Sequence, residues 1–283
     1  MILVTGVTGN TGSVVAEILL ERGIEVRAFV RSEAKGEPWR ARGARVTVGT
    51  LDDVAALTKA LTGVKAAYLL TPPNLAAEDF LADRAALNDA LAQAVKASGV
   101  PRVVYLSSVA AHLSRGTGPI ATTGDAERKL RATGTELIAL RAAYFAENWG
   151  MVAEAVQTQG VLPSFLDPET RLSMVSVADI GRVAAELLID GGPEVVELAG
   201  AAEYTTADAA KAFGAALGRE ITPAYAPLDQ VVPTLQGMGV AGLAPLYREM
   251  YETLNAGGLP FEFPERVRRG EVGLDQAVAR LVS

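Results

Sequence analysis

The stretch Thr5-Gly6-Val7-Thr8-Gly9-Asn10-Thr11-Gly12 sets three glycines at three-residue intervals, directly after the short apolar run Ile2-Leu3-Val4. Glycine at the first position permits a tight turn. At the second it lets the backbone approach a bulky anion, and at the third it lets the following helix pack closely on the preceding strand. The spacing of Val14, Val15, Ile18 and Leu19 predicts that helix over residues 11–22, with Gly23 ending it. Its N-terminus would offer unpaired N–H donors and a partial positive charge to phosphate. Gly6, Thr8, Gly9, Asn10, Thr11 and Gly12 therefore read as the cradle of a dinucleotide's pyrophosphate.

The residue closing the second strand selects between dinucleotides, because an acidic group there binds a ribose 2′-hydroxyl and repels a 2′-phosphate. Arg31 occupies that position, and Lys35 adds charge nearby. A guanidinium can take a phosphate bidentately and lie against adenine. NADP(H) is the expected cofactor and NAD(H) the lesser option, the alternative for Arg31 being a solvated surface arginine.

These groups need a scaffold that gathers loops at one edge of a sheet. Short β-branched runs predict strands at residues 1–5, 25–30, 45–48, 66–70, 102–107 and 136–140. Helical spacing separates them, with a long alanine-rich helix over 77–98 that stops at Gly99-Val100-Pro101 and another over 125–132. The alternation starts βαβαβ and implies an α/β fold, a Rossmann-type doubly wound parallel sheet. After Arg141 glycine and proline become frequent, which suggests loops and short elements over the ligand edge, while a helix at 177–189 and a strand at 195–198 return to the sheet. The expected organisation is a dinucleotide-binding domain over 1–150, joined by 176–199, and a smaller substrate lobe from 151–175 and 200–283.

Composition removes other chemistries. The 283 residues include no cysteine, which excludes disulfides, thiolate nucleophiles and iron–sulfur clusters, so redox work would fall to a dissociable cofactor. A single histidine, His112, leaves no multi-histidine metal site, and no metal is expected. A net charge of -7 argues against broad nucleic-acid binding. No apolar run is long enough for a membrane span, and the strand-like start leaves no room for a secretion signal, so the cytoplasm is the expected location.

With the glycine turn, Phe29-Val30-Arg31, Leu69-Leu70-Thr71-Pro72-Pro73, Tyr105-Leu106-Ser107-Ser108, Leu140-Arg141, Tyr144-Phe145-Ala146-Glu147-Asn148 and Val177-Ala178-Asp179-Ile180 in view, nearly the whole chain resembles the NmrA-like branch of atypical short-chain dehydrogenases. The likeness is greatest to its NADPH-dependent quinone oxidoreductases and azo-compound reductases. The resemblance implies that Thr71, Pro72 and Pro73 border the nicotinamide ribose and that Tyr144, Phe145 and Asn148 line a substrate cleft. It also implies a small-molecule acceptor such as a quinone; a homodimer is the assembly left open.

The departures are informative. Short-chain dehydrogenases carry a tyrosine and, four positions later, a lysine that together pass a proton to a carbonyl; here those positions hold Thr123 and Glu127. Relatives often place an adenine-contacting aspartate after the glycine of Gly49-Thr50-Leu51, so this departure leaves the detail of adenine binding open, with Leu51 counted among the cofactor-binding residues. Quinone reduction needs less than that relay: a hydride held near the ring and donors to the developing oxyanion. Ser107, which also borders the cofactor, and Tyr144 are the expected catalytic donors. Trp149, Met151, Phe165 and Met174 read as core packing, with an apolar roof over a flat substrate as the other option. His112 reads as a loop residue, and Lys129, Arg131 and the run Glu265-Arg266-Val267-Arg268-Arg269 read as solvated faces. Two further readings stay open, a redox sensor that binds NADP(H) without turnover and a double-bond reductase or isomerase, because a scaffold of this type hosts many activities.

Overall fold

Residues 1–282 are described by a computed structural model. In its first half β1 (Ile2–Val4), α1 (Asn10–Glu21), β2 (Val26–Val30), α2 (Glu33–Ala41), β3 (Arg45–Val48), α3 (Val54–Leu61), β4 (Ala66–Leu69), α4 (Phe80–Ser98), β5 (Arg102–Ser108), α5 (Ala121–Arg131) and β6 (Glu136–Ala142) alternate along the chain. The second half adds β7 (Tyr144–Phe145), α6 (Ala153–Gln159), β8 (Val161–Ser164), β9 (Leu172–Val175), α7 (Val177–Asp190), β10 (Val195–Ala199), β11 (Glu203–Tyr204), α8 (Thr206–Leu217), β12 (Thr222–Tyr225), α9 (Val231–Gly237), α10 (Ala244–Asn255), β13 (Arg268–Arg269) and α11 (Leu274–Val282).

Eight strands form one parallel sheet in the order β13-β10-β6-β5-β4-β1-β2-β3. The winding reverses between β1 and β4, and in open sheets of this kind ligands bind in the crevice beyond the carboxyl ends of the strands at such a reversal. Alternation along β1 sends Ile2 and Val4 to one face and Leu3 to the other. The first face is covered by Val15, Ala16 and Leu19 of α1, Trp39 of α2 and Ile180, Val183, Ala184 and Leu187 of α7. The second is covered by Leu57 and Leu61 of α3, Leu91 and Val95 of α4 and Ala126 and Leu130 of α5. A Cβ on Gly181 would stand 2.4 Å from Val14, so α1 and α7 pack at a distance only glycine permits.

A second core, including Trp149, Val156, Leu162, Met174, Phe213, Leu254 and Val278, is built by α6, α8, α10 and α11 with short strands β7 to β9. Carboxylates, two of them buried, tie its connections down through backbone N–H groups. Glu197 accepts from Glu262 and Phe263, Asp179 from Glu271 and Val272, and Glu147 from Val177.

Two expectations are refined. The 265–269 run is solvated at Glu265, Arg266 and Arg269, but Arg268 and Arg269 also extend the main sheet, Arg268 pairs with Glu186, and Arg266 lies over the Phe263 ring. The α5 helix begins four residues before the expected 125, because the Thr122 and Thr123 hydroxyls bond back to the carbonyls of Pro119 and Ile120 at 2.8 Å and so fit within its first turn. Among the described residues no helix is long and apolar enough to cross a membrane.

Candidate functional site

The loop between β1 and α1 separates two uses of glycine. Gly12 has no room for a Cβ, which would lie 2.4 Å from the Gly6 carbonyl oxygen and 2.5 Å from that of Thr5. Gly6 turns the chain at a φ of +65°, where a side chain would be strained. Gly9 is different, since it is exposed and extended and its nearest neighbour to a Cβ is the Gly6 oxygen at 3.4 Å. No internal packing demands its bareness, whereas an approaching pyrophosphate would.

The helix behind this loop is prepared for an anion. Helix α1 has no side-chain N-cap, unlike α3, α4, α7 and α8 but like α2, α5, α6, α9 and α10, and it carries no acidic residue in its first turn. Its leading N–H groups are left for a ligand. Thr8 and Asn10 are exposed beside them, while the Thr11 side chain is buried. At the end of β2, Arg31 and Lys35 are both exposed and form no ion pair among the described residues. The cradle and the two cations suit a phosphorylated dinucleotide. Leu51 is half-buried against the cluster that contains Phe29, on the side where adenine would lie.

Beyond β4 and β5 the polar groups are already engaged. Arg84 of α4 is buried and donates to the Thr71 and Pro72 carbonyls and to the Thr71 hydroxyl, which also bonds the Tyr105 hydroxyl at 2.8 Å. Burial pushes the Tyr105 phenol up to about 12, so it stays protonated. Thr71 thus fixes the loop with the hydroxyl expected to meet the cofactor, leaving the exposed Pro72 and Pro73 to face outward.

Ser107 also departs from expectation. Only 3% exposed, it donates to Glu127 Oε1 at 2.6 Å. Glu127, 1% exposed, further accepts from Arg141 at 2.9 and 2.8 Å and from Arg131 at 3.2 Å. Burial opposes its charge, but the Arg141 and Ser107 hydrogen bonds hold the carboxyl below its usual range. An ionised Glu127 can only accept, so in this arrangement the Ser107 proton is engaged by the carboxylate. Arg141 completes the chain by pairing with Glu262. The position that holds a relay lysine in short-chain dehydrogenases is thus the centre of a buried ion cluster. Arg131 reaches this cluster from an exposed position, in keeping with a solvated face, while Lys129 is half-buried and pairs with Asp89 and Asp125.

Tyr144 lies in β7, paired in parallel with β9, and packs against Trp149 with ring centroids 6.4 Å apart. Burial, then the neighbouring Tyr251 and Tyr247, raises its phenol well above the ordinary value, with Asn148 acting in the opposite direction, so it remains a proton-bearing donor. Phe145 is half-buried and Asn148 exposed. Trp149 and Met174 are core residues, joined by an indole N–H to sulfur contact of 3.4 Å, and Phe165 packs on Tyr251. Met151, 67% exposed, belongs to neither core. His112 is exposed on the loop after β5. Among the described residues no group of three or more histidine, aspartate or glutamate side chains could hold a metal ion.

Arg84, the Glu127 cluster and the α10 tyrosines were not anticipated. The i,i+4 spacing of Tyr247 and Tyr251 was the available signal for the last.

A doubly wound sheet with an open glycine cradle defines a dinucleotide-binding protein. The NmrA-like family model matches residues 1–265, and the chain belongs to that family. It is 29% identical over 256 residues to the NAD(P)H azoreductase of Xenophilus azovorans, covering 89% of this chain and 86% of the relative. It is 28% identical over 267 residues to quinone oxidoreductase 2 of Escherichia coli (strain K12), covering 92% and 90%. The crystal structure of the NADPH-dependent quinone oxidoreductase of Escherichia coli complexed with NADPH superposes with a TM-score of 0.83 and 26% identity, over the whole of both chains.

Proposed function

We propose that this NAD(P)H-dependent reductase passes a hydride to a quinone or a similar conjugated acceptor without flavin, in a cleft between the sheet and a substrate lobe formed by residues 151–175 and 200–283. The observation that carries the reading is the pairing of an open cradle at Gly9 and α1 with a β5–α5 region that lacks a proton relay. Bound NADPH supplies the hydride. Gly6, Gly9, the α1 N-terminus, Thr8 and Asn10 would hold its pyrophosphate, Arg31 and Lys35 its 2′-phosphate, and Leu51 its adenine.

The chain's residues then position and exclude water. Arg84 fixes the Thr71–Pro73 loop, and the Glu127–Arg141 pair fixes the ends of β5 and β6, giving a rigid floor for the acceptor. Tyr144 keeps its proton and donates a hydrogen bond to the acceptor oxygen, while Phe145 and Asn148 shape the cleft. A quinone suits this floor because its aromatic dihydroxy product stabilises the added electrons without a lysine relay: the hydride goes to the ring system and the proton that completes the product comes from water, Tyr144 keeping its own. The expected result with menadione is rapid loss of NADPH absorbance that depends on the protein. Tight NADPH binding with no turnover across a panel of quinones, azo dyes and enones would overturn the reading.

A further inference from the structure

Helix α10 spans the loops that follow β4 and β5. On one side the Gly116 N–H donates to Glu249 at 2.6 Å, Thr253 donates to the Gly116 carbonyl, and a Cβ on Gly118 would stand 2.0 Å from the Leu246 oxygen. On the other, a Cβ on Gly242, just before the helix, would lie 2.4 Å from the Ala77 oxygen and 2.6 Å from that of Glu78. Backbone packs on backbone at both ends, which fixes the helix over this edge of the sheet.

Tyr247 and Tyr251 stand four residues apart on that helix, their rings stacked at 6.3 Å and 30°. Phe165 closes on Tyr251 at 5.5 Å. Both tyrosines are half-buried and share an apolar cluster with Tyr144. Neither hydroxyl is hydrogen-bonded within the described residues. Burial raises both phenols, Tyr251 to about 12, so each keeps its proton. Neither oxygen is among the buried unpaired polar atoms, so both reach the surface of this cluster, where their protons are open to a partner.

We infer that Tyr247 and Tyr251 form, with Tyr144, the wall that selects the acceptor: their rings lie against a planar conjugated ring and their hydroxyls donate to its oxygens. The assignment rests on the quinone reading and extends it to residues on the far lobe. A flat ring fits between aromatic faces, and a quinone offers two acceptor oxygens and no donor, complementary to phenols with protons to give. Aliphatic carbonyl compounds would lack the stacking, so the wall favours aromatic acceptors.

The test uses the full-length chain with Y247F, Y251F, the double Phe variant, and Y247A and Y251A. NADPH affinity is read by calorimetry, menadione binding to the NADP+-loaded protein by equilibrium dialysis, and KM and kcat by NADPH oxidation. Each lost hydroxyl should weaken menadione about fivefold in dissociation constant and KM. Each lost ring should cost about tenfold or more. NADPH affinity should not move. Should the alanine variants fail to fold, the phenylalanine variants decide, because they keep the packing. Normal menadione binding and KM in the double Phe variant would overturn the hydroxyl contact, and normal values in the folded alanine variants the whole assignment. A parent protein that neither binds nor reduces menadione would instead remove the quinone reading, and this assignment with it.

Discussion

The carboxyl ends of β1 and β2 and those of β5 and β6 lie on the same edge of one sheet, yet they treat polar groups in opposite ways. At the first, Thr8, Asn10, Arg31 and Lys35 are exposed and the α1 N-terminus has no cap. At the second, Ser107, Glu127 and Arg141 are buried and saturated by one another. Residue type does not separate the two, since both contain a hydroxyl and an arginine. Groups left without protein partners are available to a ligand; groups that satisfy each other hold a shape. The same criterion sets Ser107 and Thr71 among the groups that hold a shape, and it underlies the proposal for Tyr247 and Tyr251.

The sharpest break of this contrast lies within the glycine turn. Gly12→Ala pushes a methyl group into the Thr5 and Gly6 carbonyls, and α1 cannot retreat because Val14 already presses on Gly181. The expected cost is about 3 kcal/mol of stability, read from denaturant unfolding. Gly9→Ala meets nothing closer than 3.4 Å, so its unfolding curve should match the parent's while calorimetry shows weakened NADPH. Equal destabilisation by both would mean that Gly9 serves the fold, not the pyrophosphate.

Glu127→Gln tests the closed end of the comparison. It leaves Arg141 facing Glu262 alone and should cost about 3 kcal/mol, slightly less than or close to the Gly12 effect, with NADPH affinity preserved. Its pH dependence has a definite sign. Because the folded Glu127 carboxyl titrates below its unfolded value of about 4.3, its contribution is complete above that pH and is lost as pH falls through the lower folded value. The stability gap between parent and variant should therefore be full near neutrality and shrink in acid. A gap that grew in acid would contradict an ionised Glu127.

What the sequence made legible follows from the range of the interactions. The main strands carry local apolar runs, and their predicted positions agree with the structure to within one or two residues. Strand β13 consists of two arginines and is a strand only because β10 pairs with it, so no local pattern announces it. Glu127 was legible only as the residue standing where a relay lysine is found in short-chain dehydrogenases. Its partners lie 14 residues away in β6 and, through Arg141, a further 121 residues on at Glu262, and only the fold brings them together. The cradle was readable because its chemistry is contained in eight consecutive residues.

Arg31 gives the finest test of the open end, because it separates two cofactors that differ by a single phosphate. An unpaired guanidinium beside an exposed Lys35 is worth little to the fold, so Arg31→Ala should leave stability unchanged. A charge-assisted hydrogen bond to phosphate contributes about 1.5–3 kcal/mol, so NADPH should bind roughly ten- to a hundredfold more weakly while NADH is little affected. The contact is exposed, so added salt should erode NADPH affinity in the parent far more than in the variant. Equal weakening of both cofactors would place Arg31 against adenine and leave the 2′-phosphate to Lys35, a division that Lys35→Ala, measured with the same two cofactors, would then reveal.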